Sequence, residues 1–289
     1  MNQVKLAWQS KLVLLLVLPF AATSALLDCI VWFGKPVAWW TVGISILMGL
    51  LMWKARAVTA AAAATGAVIV ASLMFSTGFF PFEPWHTALV PAVAVAALAF
   101  ASTRVGRGAK ERLGTAEARQ GRSASQIAAN LGVAALVAIG PFQSWLLDQP
   151  WSQTVSRNGV VLLVLAIAAL AEAAADTVSS EIGQVLGGRP RLITNLRRVE
   201  PGTDGAVSLA GTMAGVVAAG IVAWLGTLSL QGNRLFFVVS CAGGVFGLLF
   251  DSLLGATLER WRLLNNDAVN FLSTASAAAF GLAMLALWR

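Results

Sequence analysis

The sequence predicts an all-α, polytopic transmembrane helix bundle of about nine spans with its N-terminus in the cytoplasm. Three observations lead there. Of the 289 residues, 58% are hydrophobic and 11% are charged, less than half the roughly 25% charged that is usual for soluble domains. Too few polar residues remain to coat a soluble all-α protein. Apolar runs of about 20 residues recur, the length that crosses a hydrocarbon core of about 30 Å. Backbone groups in lipid must be satisfied within the segment, and the alternation of a membrane barrel is absent, so the spans are helices.

The expected spans, in order, are 11–33, 37–53, 57–79, 84–101, 126–147, 158–183, 205–230, 235–257 and 267–288. The first follows two lysines and has features of a secretory signal. Its apolar run nevertheless continues to Phe33 with only Asp28 interrupting, and an acid before Cys29 does not suit lipoprotein cleavage, so it reads as a retained span. Spans 37–53 and 84–101 are short, which leaves re-entrant and interfacial readings open. Residues 1–101 form an N-terminal group of four spans, 102–125 a Gly/Arg-rich cytoplasmic loop or short interfacial helix, and 126–289 a core of five spans. Cys29 and Cys241 both lie in apolar runs, so neither a disulfide framework nor a Cys-rich metal site is available.

The basic residues set the orientation. With the N-terminus inside, 16 of the 20 Lys and Arg residues fall on the cytoplasmic side, six of them in 102–125; Lys5 and Arg119 are among the 16. Lys35, Arg157, Arg234 and Arg289 remain outside. The net charge of +7 is therefore mainly a feature of one face, suited to topology and anionic lipids. There is no basic soluble domain to bind nucleic acid.

The acids gather at that same face. On the sixth span Glu172, Asp176 and Ser180 follow i, i+4, i+8 spacing and share one helix face. Asp176 falls about 10 Å inside the cytoplasmic end, and Glu181 lies nearer the water. The seventh span opens with "PGTDGAVS", which places Asp204 and Ser208 at its start. The eighth ends in "FDSLLGATLE", with Asp251, Gly255 and Glu259 again at i, i+4, i+8. The ninth opens with Asn266, Asp267 and Asn270, and Asn130 lies near the start of the fifth. A carboxylate inside a span costs roughly 2.5–3.5 kcal/mol on insertion scales and marks a cavity or a partner. Any one acid is compatible with a packing salt bridge. Asp176, Glu181, Asp204 and Asp251 together suit a hard divalent cation, Mg²⁺, which takes few carboxylates and leaves room for phosphate oxygens.

The stretch "GGRPRLITNLRRVEPGTDG" supplies opposite charge. Arginine reads phosphate with a bidentate fork, and the helix start near Ser208 offers free N–H donors. Arg191, Arg197 and Arg198 are expected to hold phosphates. Arg198 is expected to matter more than Arg122, because it abuts the helix-start motif. Acid, arginine and Gly-rich turn at a membrane interface suggest phosphate chemistry on a lipid. No Walker A signature occurs, and a Ser/His/Asp triad is excluded because His86, the sole histidine, lies on the outer side.

At these residues the sequence resembles a family. "DTVSSEIG", "PRLIT", "RRVEPGTDGAVSLAGT", "DSLLGATLE" and "NNDAVNFLST" are similar to segments of the integral-membrane family of plant phytyl phosphate kinase and the transmembrane-protein-19-like proteins. "QIAAN" resembles that family's Q-x-x-A-N signature. The resemblance covers Gln126–Thr274 in order, while the first hundred residues show only span-like hydrophobicity. Val178 and Leu131 depart from the usual pattern, and Glu259 stands where an amide is common. "DTVSSEIG … RRVEPG" is more distantly similar to polyprenol and phytol kinases.

The resemblance implies Mg²⁺-dependent transfer of a phosphoryl group from a nucleoside triphosphate, CTP or ATP with CTP favoured, to an isoprenyl monophosphate at the cytoplasmic face of a bacterial inner membrane. Asp176 and Asp251 would then be catalytic metal ligands, with Asp204 and Glu181 as further or water-mediated ligands. Arg191, Arg197 and Arg198 would hold nucleotide phosphates beside Ser208, and Asn130 and Asn270 would orient substrate or ribose. Two other classes compete. A cation-coupled transporter or lipid flippase also uses intramembrane acids, but near the midplane. A lipid-phosphate cytidylyltransferase would differ only in which phosphorus is attacked. Oligomeric state is open.

Overall fold

The computed structural model describes residues 6–118, 120–149 and 162–287. The sequence readings at Lys5, Arg119, Arg157 and Arg289, and the beginning of the expected span 158–183, lie outside these residues. The first half of the chain forms α1 (Trp8–Val31), α2 (Pro36–Lys54), α3 (Ala60–Thr77), a 3₁₀ turn at Pro84–His86, α4 (Leu89–Arg104), α5 (Arg107–Leu113), α6 (Ala124–Ala138) and α7 (Gly140–Leu147). The second half forms α8 (Val164–Leu186), a minimal antiparallel pair β1 (Arg191–Leu192) and β2 (Ala206–Val207), α9 (Leu209–Ser229), α10 (Arg234–Leu254) and α11 (Asn266–Leu287).

Among the described residues six helices, α1–α3 and α9–α11, are long and apolar enough to cross a membrane. The number reaches eight if the bent pairs α4–α5 and α6–α7 each make one span. α8 stands apart from this set because it carries three acids, Glu172, Asp176 and Glu181. The expected single span 126–147 is in fact α6 and α7, bent by 59°. Pro141 explains the break, since it has no N–H to donate and its ring would strike the carbonyl four residues back. α4 turns by 68° into α5 through Gly106, whose φ is +61°. The basic segment 102–125 therefore contains the short helix α5.

α8 is the hub. Every residue from Val164 to Ala175 is buried, and α4, α6, α9, α10 and α11 all pack on it. Most of these residues are small, so neighbouring backbones approach closely, which is how helices associate without a hydrophobic drive in lipid. On α10 a Cβ added at Gly247 would lie 2.4 Å from Glu172 Cγ, so that acid is roofed by a position that has no room for a side chain. Many large apolar residues outside α8 are turned outward. Leu15, Phe20, Trp39 and Trp224 are each more than half exposed, a surface suited to lipid.

α1 closes the bundle against α3, α6 and α11. Ser10 Oγ donates to Asp267 Oδ2 at 2.5 Å, and Asn265 Nδ2 donates to Ser10 Oγ at 2.8 Å. Asp267, an acid of the ninth expected span, is thus used to tie α1 to α11. The C-terminal ends of α8 and α10 and the N-terminal ends of α6, α9 and α11 meet around one cavity. The α9–α10 turn lies at the far end of α9, about 30 Å away at the helical rise per residue.

This two-ended geometry makes the orientation testable. In a variant with Cys29 and Cys241 replaced by serine, Gln120→Cys should be shielded from a membrane-impermeant thiol reagent in intact cells, and Arg234→Cys should react. The reversed pattern would refute a cytoplasmic cavity.

Candidate active site

α8 presents Glu172 and Asp176 one turn apart. Glu172 is 1% exposed, whereas Asp176 is partly buried on the wall of a cavity of about 270 Å³. α10 adds Asp251 and then widens into a π turn, Gly255–Glu259. Such turns are rare and concentrate at functional sites; here the turn ends on Glu259, which also lines the cavity. The β1–β2 loop seats on this turn. Gly205 has φ +71°, and a Cβ there would lie 2.1 Å from the Ala256 nitrogen. Only glycine lets the loop lie so close, and the approach carries Asp204 to the cavity. Ser208 caps α9 by accepting from Gly211 N at 3.1 Å. α11 contributes Asn266 and Asn270, and α6 contributes Gln126 and Asn130.

The charges are unbalanced. Among the described residues, five carboxylates line the cavity (Glu117, Asp176, Asp204, Asp251 and Glu259) against one guanidinium, Arg122. Asp176 and Asp251 line the same cavity, and Asp251 Oδ2 is buried without a hydrogen-bond partner. Glu259 lies in the field of Asp204 and Asp176. This much negative charge in a partly buried space favours a bound cation. No group of three or more His, Cys, Asp and Glu side chains is arranged to hold a metal by itself among the described residues. The cavity does fit the way Mg²⁺ is bound through one or two carboxylates, with water and phosphate oxygens completing its shell. Asp176 and Asp251, the latter with an orphaned oxygen, are the pair that could hold such an ion.

Arg122 is the residue that the sequence reading undervalued. Its Nη1 and Nη2 donate to Thr177 Oγ1 at 3.4 and 3.5 Å, and its Nε lies 3.7 Å from Glu117 Oε2. Its backbone is pinned on both sides: Arg122 N donates to Ala57 O at 2.9 Å, and Arg122 O accepts from Thr59 N at 3.0 Å. Gly121 permits this, with φ +81° and a would-be Cβ 2.3 Å from the Ala57 carbonyl carbon. The next residue, Ser123, forms a capping box with Gln126 at the start of α6. The glutamine of "QIAAN" thus has a structural duty, and Asn130 Nδ2 donates to Gln126 O at 2.7 Å. The sequence signal for Arg122 was its place just before this box, which reads equally well as a topology charge.

Of the expected residues, Asp176, Asp251, Asp204, Ser208, Asn130 and Asn270 line the cavity. Glu181 does not. Its Oε2 accepts from Lys110 Nζ at 2.5 Å, and Lys110, at 0% exposure, also donates to the Ser102 and Thr103 carbonyls. Glu181 faces α5 because it sits off the Glu172–Asp176 face, and the bend at Gly106 swings Lys110 over it. Arg191, Arg197 and Arg198 are also absent from the cavity lining and are exposed on the loop. Arg191 bridges Arg198 through the backbone, and its Nη1 donates to Leu196 O at 2.9 Å.

Residues 43–278 match the family described as integral membrane protein DUF92. The match begins well ahead of Gln126, so most of α2, and α3 and α4, belong to the family's extent along with the acidic core. An uncharacterized membrane protein of Methanocaldococcus jannaschii is 44% identical over 115 residues, 40% of this chain and 48% of the relative. Another from Synechocystis sp. is 34% identical over 195 residues, 63% of this chain and 67% of the relative. The chloroplastic protein VTE6 of Arabidopsis thaliana is 32% identical over 177 residues, 60% of this chain and 51% of the relative. The chain thus spans about half to two thirds of the length of these curated relatives. No solved structure matches it.

The Lys110–Glu181 pair should be structural. Glu181→Gln would leave a buried ammonium without its counter-charge, at a cost of about 3–5 kcal/mol. Thermal unfolding should show a clearly lowered midpoint, while Asp204→Asn leaves it unchanged. The double replacement Lys110→Met with Glu181→Leu should recover most of the loss. An unaltered midpoint in Glu181→Gln would show that the pair is not structural.

Proposed function

The chain belongs to the DUF92 integral membrane family, and we propose that it transfers the terminal phosphoryl group of a nucleotide to an isoprenyl monophosphate, giving the diphosphate. The observation that carries the reading is the convergence of Asp176, Asp251, Asp204 and Glu259 with Arg122 at one end of the bundle. The resemblance to the plant phytyl phosphate kinase family supplies the substrate class and favours CTP. Sixteen of 20 basic residues assigned to one face support a cytoplasmic site in a plasma membrane.

In this reading an oxygen of the acceptor phosphate forms a bond to the γ-phosphorus. The bond from that phosphorus to the β–γ bridging oxygen breaks, and a nucleoside diphosphate leaves. The attacking oxygen is already anionic, so no strong general base is needed, and positioning with charge neutralisation does the work. Arg122 faces the transferring phosphoryl group with a planar fork. Asn130 and Asn270 orient substrate oxygens. Asp176 and Asp251 would hold Mg²⁺, which when bound supplies charge neutralisation for the phosphoryl oxygens. A transporter places its acids near the midplane, and the gathering of these acids at one end speaks against that class.

The discriminating experiment is incubation of purified protein with Mg²⁺, phytyl monophosphate and CTP labelled at the α or γ position. Label from the γ position should appear in lipid diphosphate. Lipid labelled from the α position would replace the kinase reading with nucleotidyl transfer.

Two sets of variants follow. Asp176→Asn and Asp251→Asn keep shape and remove charge, and each should cut turnover by at least about two orders of magnitude with normal insertion and yield. Arg122→Ala should lower kcat/KM by about tenfold or more, on the scale of a lost charge-assisted hydrogen bond, while Arg198→Ala stays close to wild type. Normal turnover in both Asp→Asn variants would sink the metal role, and equal small effects at Arg122 and Arg198 would return Arg122 to topology alone.

A further inference from the structure

A second, apolar crevice of about 110 Å³ runs between α2, α3, α4 and α6, with Ala173 of α8 among its lining residues. Met48, Val95, Phe100, Ile127 and Leu131 line it beside small residues of α3 and α4. Val70 and Ala92 also line it, at 2% and 1% exposure, and they pack in a cluster with Met74. The opposite end is basic. Among the described residues, Arg56, Arg104, Arg107 and Arg122 line it, with Glu117 as the only acid. Arg104 lies over the Phe100 ring, 3.3 Å from its centroid, and its Nη2 donates to Ala55 O at 3.1 Å, so it joins α4 to the α2–α3 turn.

The crevice and the acidic cavity adjoin one another. They share Glu117, Arg122 and Asn130. Their charges are opposite, four guanidiniums to one carboxylate on one side and five carboxylates to one guanidinium on the other. An anion with an apolar tail therefore suits the crevice, and a cation-bearing ligand suits the cavity. A ligand whose head lies at Arg122 and whose tail runs toward Val70 meets its chemical complement along its whole length.

We propose that this crevice is the acceptor site: a lipid with a single apolar chain enters between α2, α3, α4 and α6, and its phosphate is held by Arg122 facing the acidic cavity. The inference rests on the proposed function for the identity of the head group. The crevice commits to a single-chain lipid phosphate as its occupant, because the arginine cluster is complementary to phosphate and the walls between α3 and α4 are apolar. Gly66 is the place to test it. A Cβ there meets only Ile127 Cγ2, at 3.7 Å, which is ordinary contact, so a larger side chain can be added from α3 into the crevice. Ala96 lines the crevice from α4.

The test is direct binding without nucleotide, so that it does not depend on turnover. Purified protein in nanodiscs is photolabelled with an isoprenyl monophosphate carrying a terminal diazirine, and the labelled residues are mapped. Label is expected on α2–α4 around Met48, Val70 and Val95. Phytyl monophosphate should compete about tenfold or more better than phytol or phosphatidylglycerol, the scale of a charge-assisted contact. Gly66→Leu and Ala96→Leu should each reduce labelling about tenfold. Thermal midpoints near wild type would show that the loss is not unfolding; if one variant unfolds, the other and the wild-type map decide. Label spread over the outer faces, equal competition by phosphatidylglycerol, or unchanged labelling in both folded variants would overturn the crevice. Phosphoryl transfer with no crevice labelling would overturn this inference alone, and crevice labelling with no transfer would overturn the kinase reading alone.

Discussion

Carboxylates are costly in hydrocarbon, and α8 carries three of them. That cost makes α8 the central helix. Its apolar first half would be at home facing lipid, but Glu172 and Asp176 would not, so the whole helix is surrounded by α4, α6, α9, α10 and α11. The surrounding helices can come close because α8 is built largely from alanine and because Gly247 leaves space over Glu172. With the acids enclosed, bulky apolar side chains such as Leu15, Phe20 and Trp224 stand on the outer surface.

The basic residues near α4–α6 show how one topological signal divides into separate tasks. Lys110 is a compact ammonium with three donors, and all three find acceptors in Glu181, Ser102 O and Thr103 O, so it can be buried completely. Arg104 spreads its planar group over Phe100 and reaches the Ala55 carbonyl, a contact that suits a weakly hydrated cation at an interface. Arg122 is held at the cavity by a pinned backbone and by Thr177. The positive-inside tendency accounts for the presence of all three and for the position of none.

The two compartments meet where α6 begins. Gly121, Arg122, the Ser123–Gln126 capping box and Asn130 lie within ten residues, and they connect the α2–α3 turn to the acidic cavity. α2, α3 and α4 line the crevice, the family match covers them from residue 43 onward, and α2 packs on α3, α3 on α6 and α4 on α8. The division of the chain into a plain first part and a functional second part reflects where charged motifs are visible, since a crevice lined by Ala, Val and Met leaves no motif to read.

The sequence by itself determined the class of the molecule, because hydropathy and charge content are properties of composition. It also placed acids at a common depth, because Asp176, Glu181, Asp204 and Asp251 lie at countable distances from the ends of apolar runs; three of the four, Asp176, Asp204 and Asp251, line the cavity. Tertiary structure decided the rest, because it depends on bends and close approaches that spacing does not encode. Pro141 divided one expected span into two helices, and Gly106 swung Lys110 onto Glu181, removing that acid from the site. The loop arginines stand exposed away from the cavity, and contacts from a turn more than 60 residues earlier in the chain set Arg122 beside Thr177. Periodicity fixes a side chain's height and face on its own helix; which neighbour it meets is settled by how the helices pack against one another.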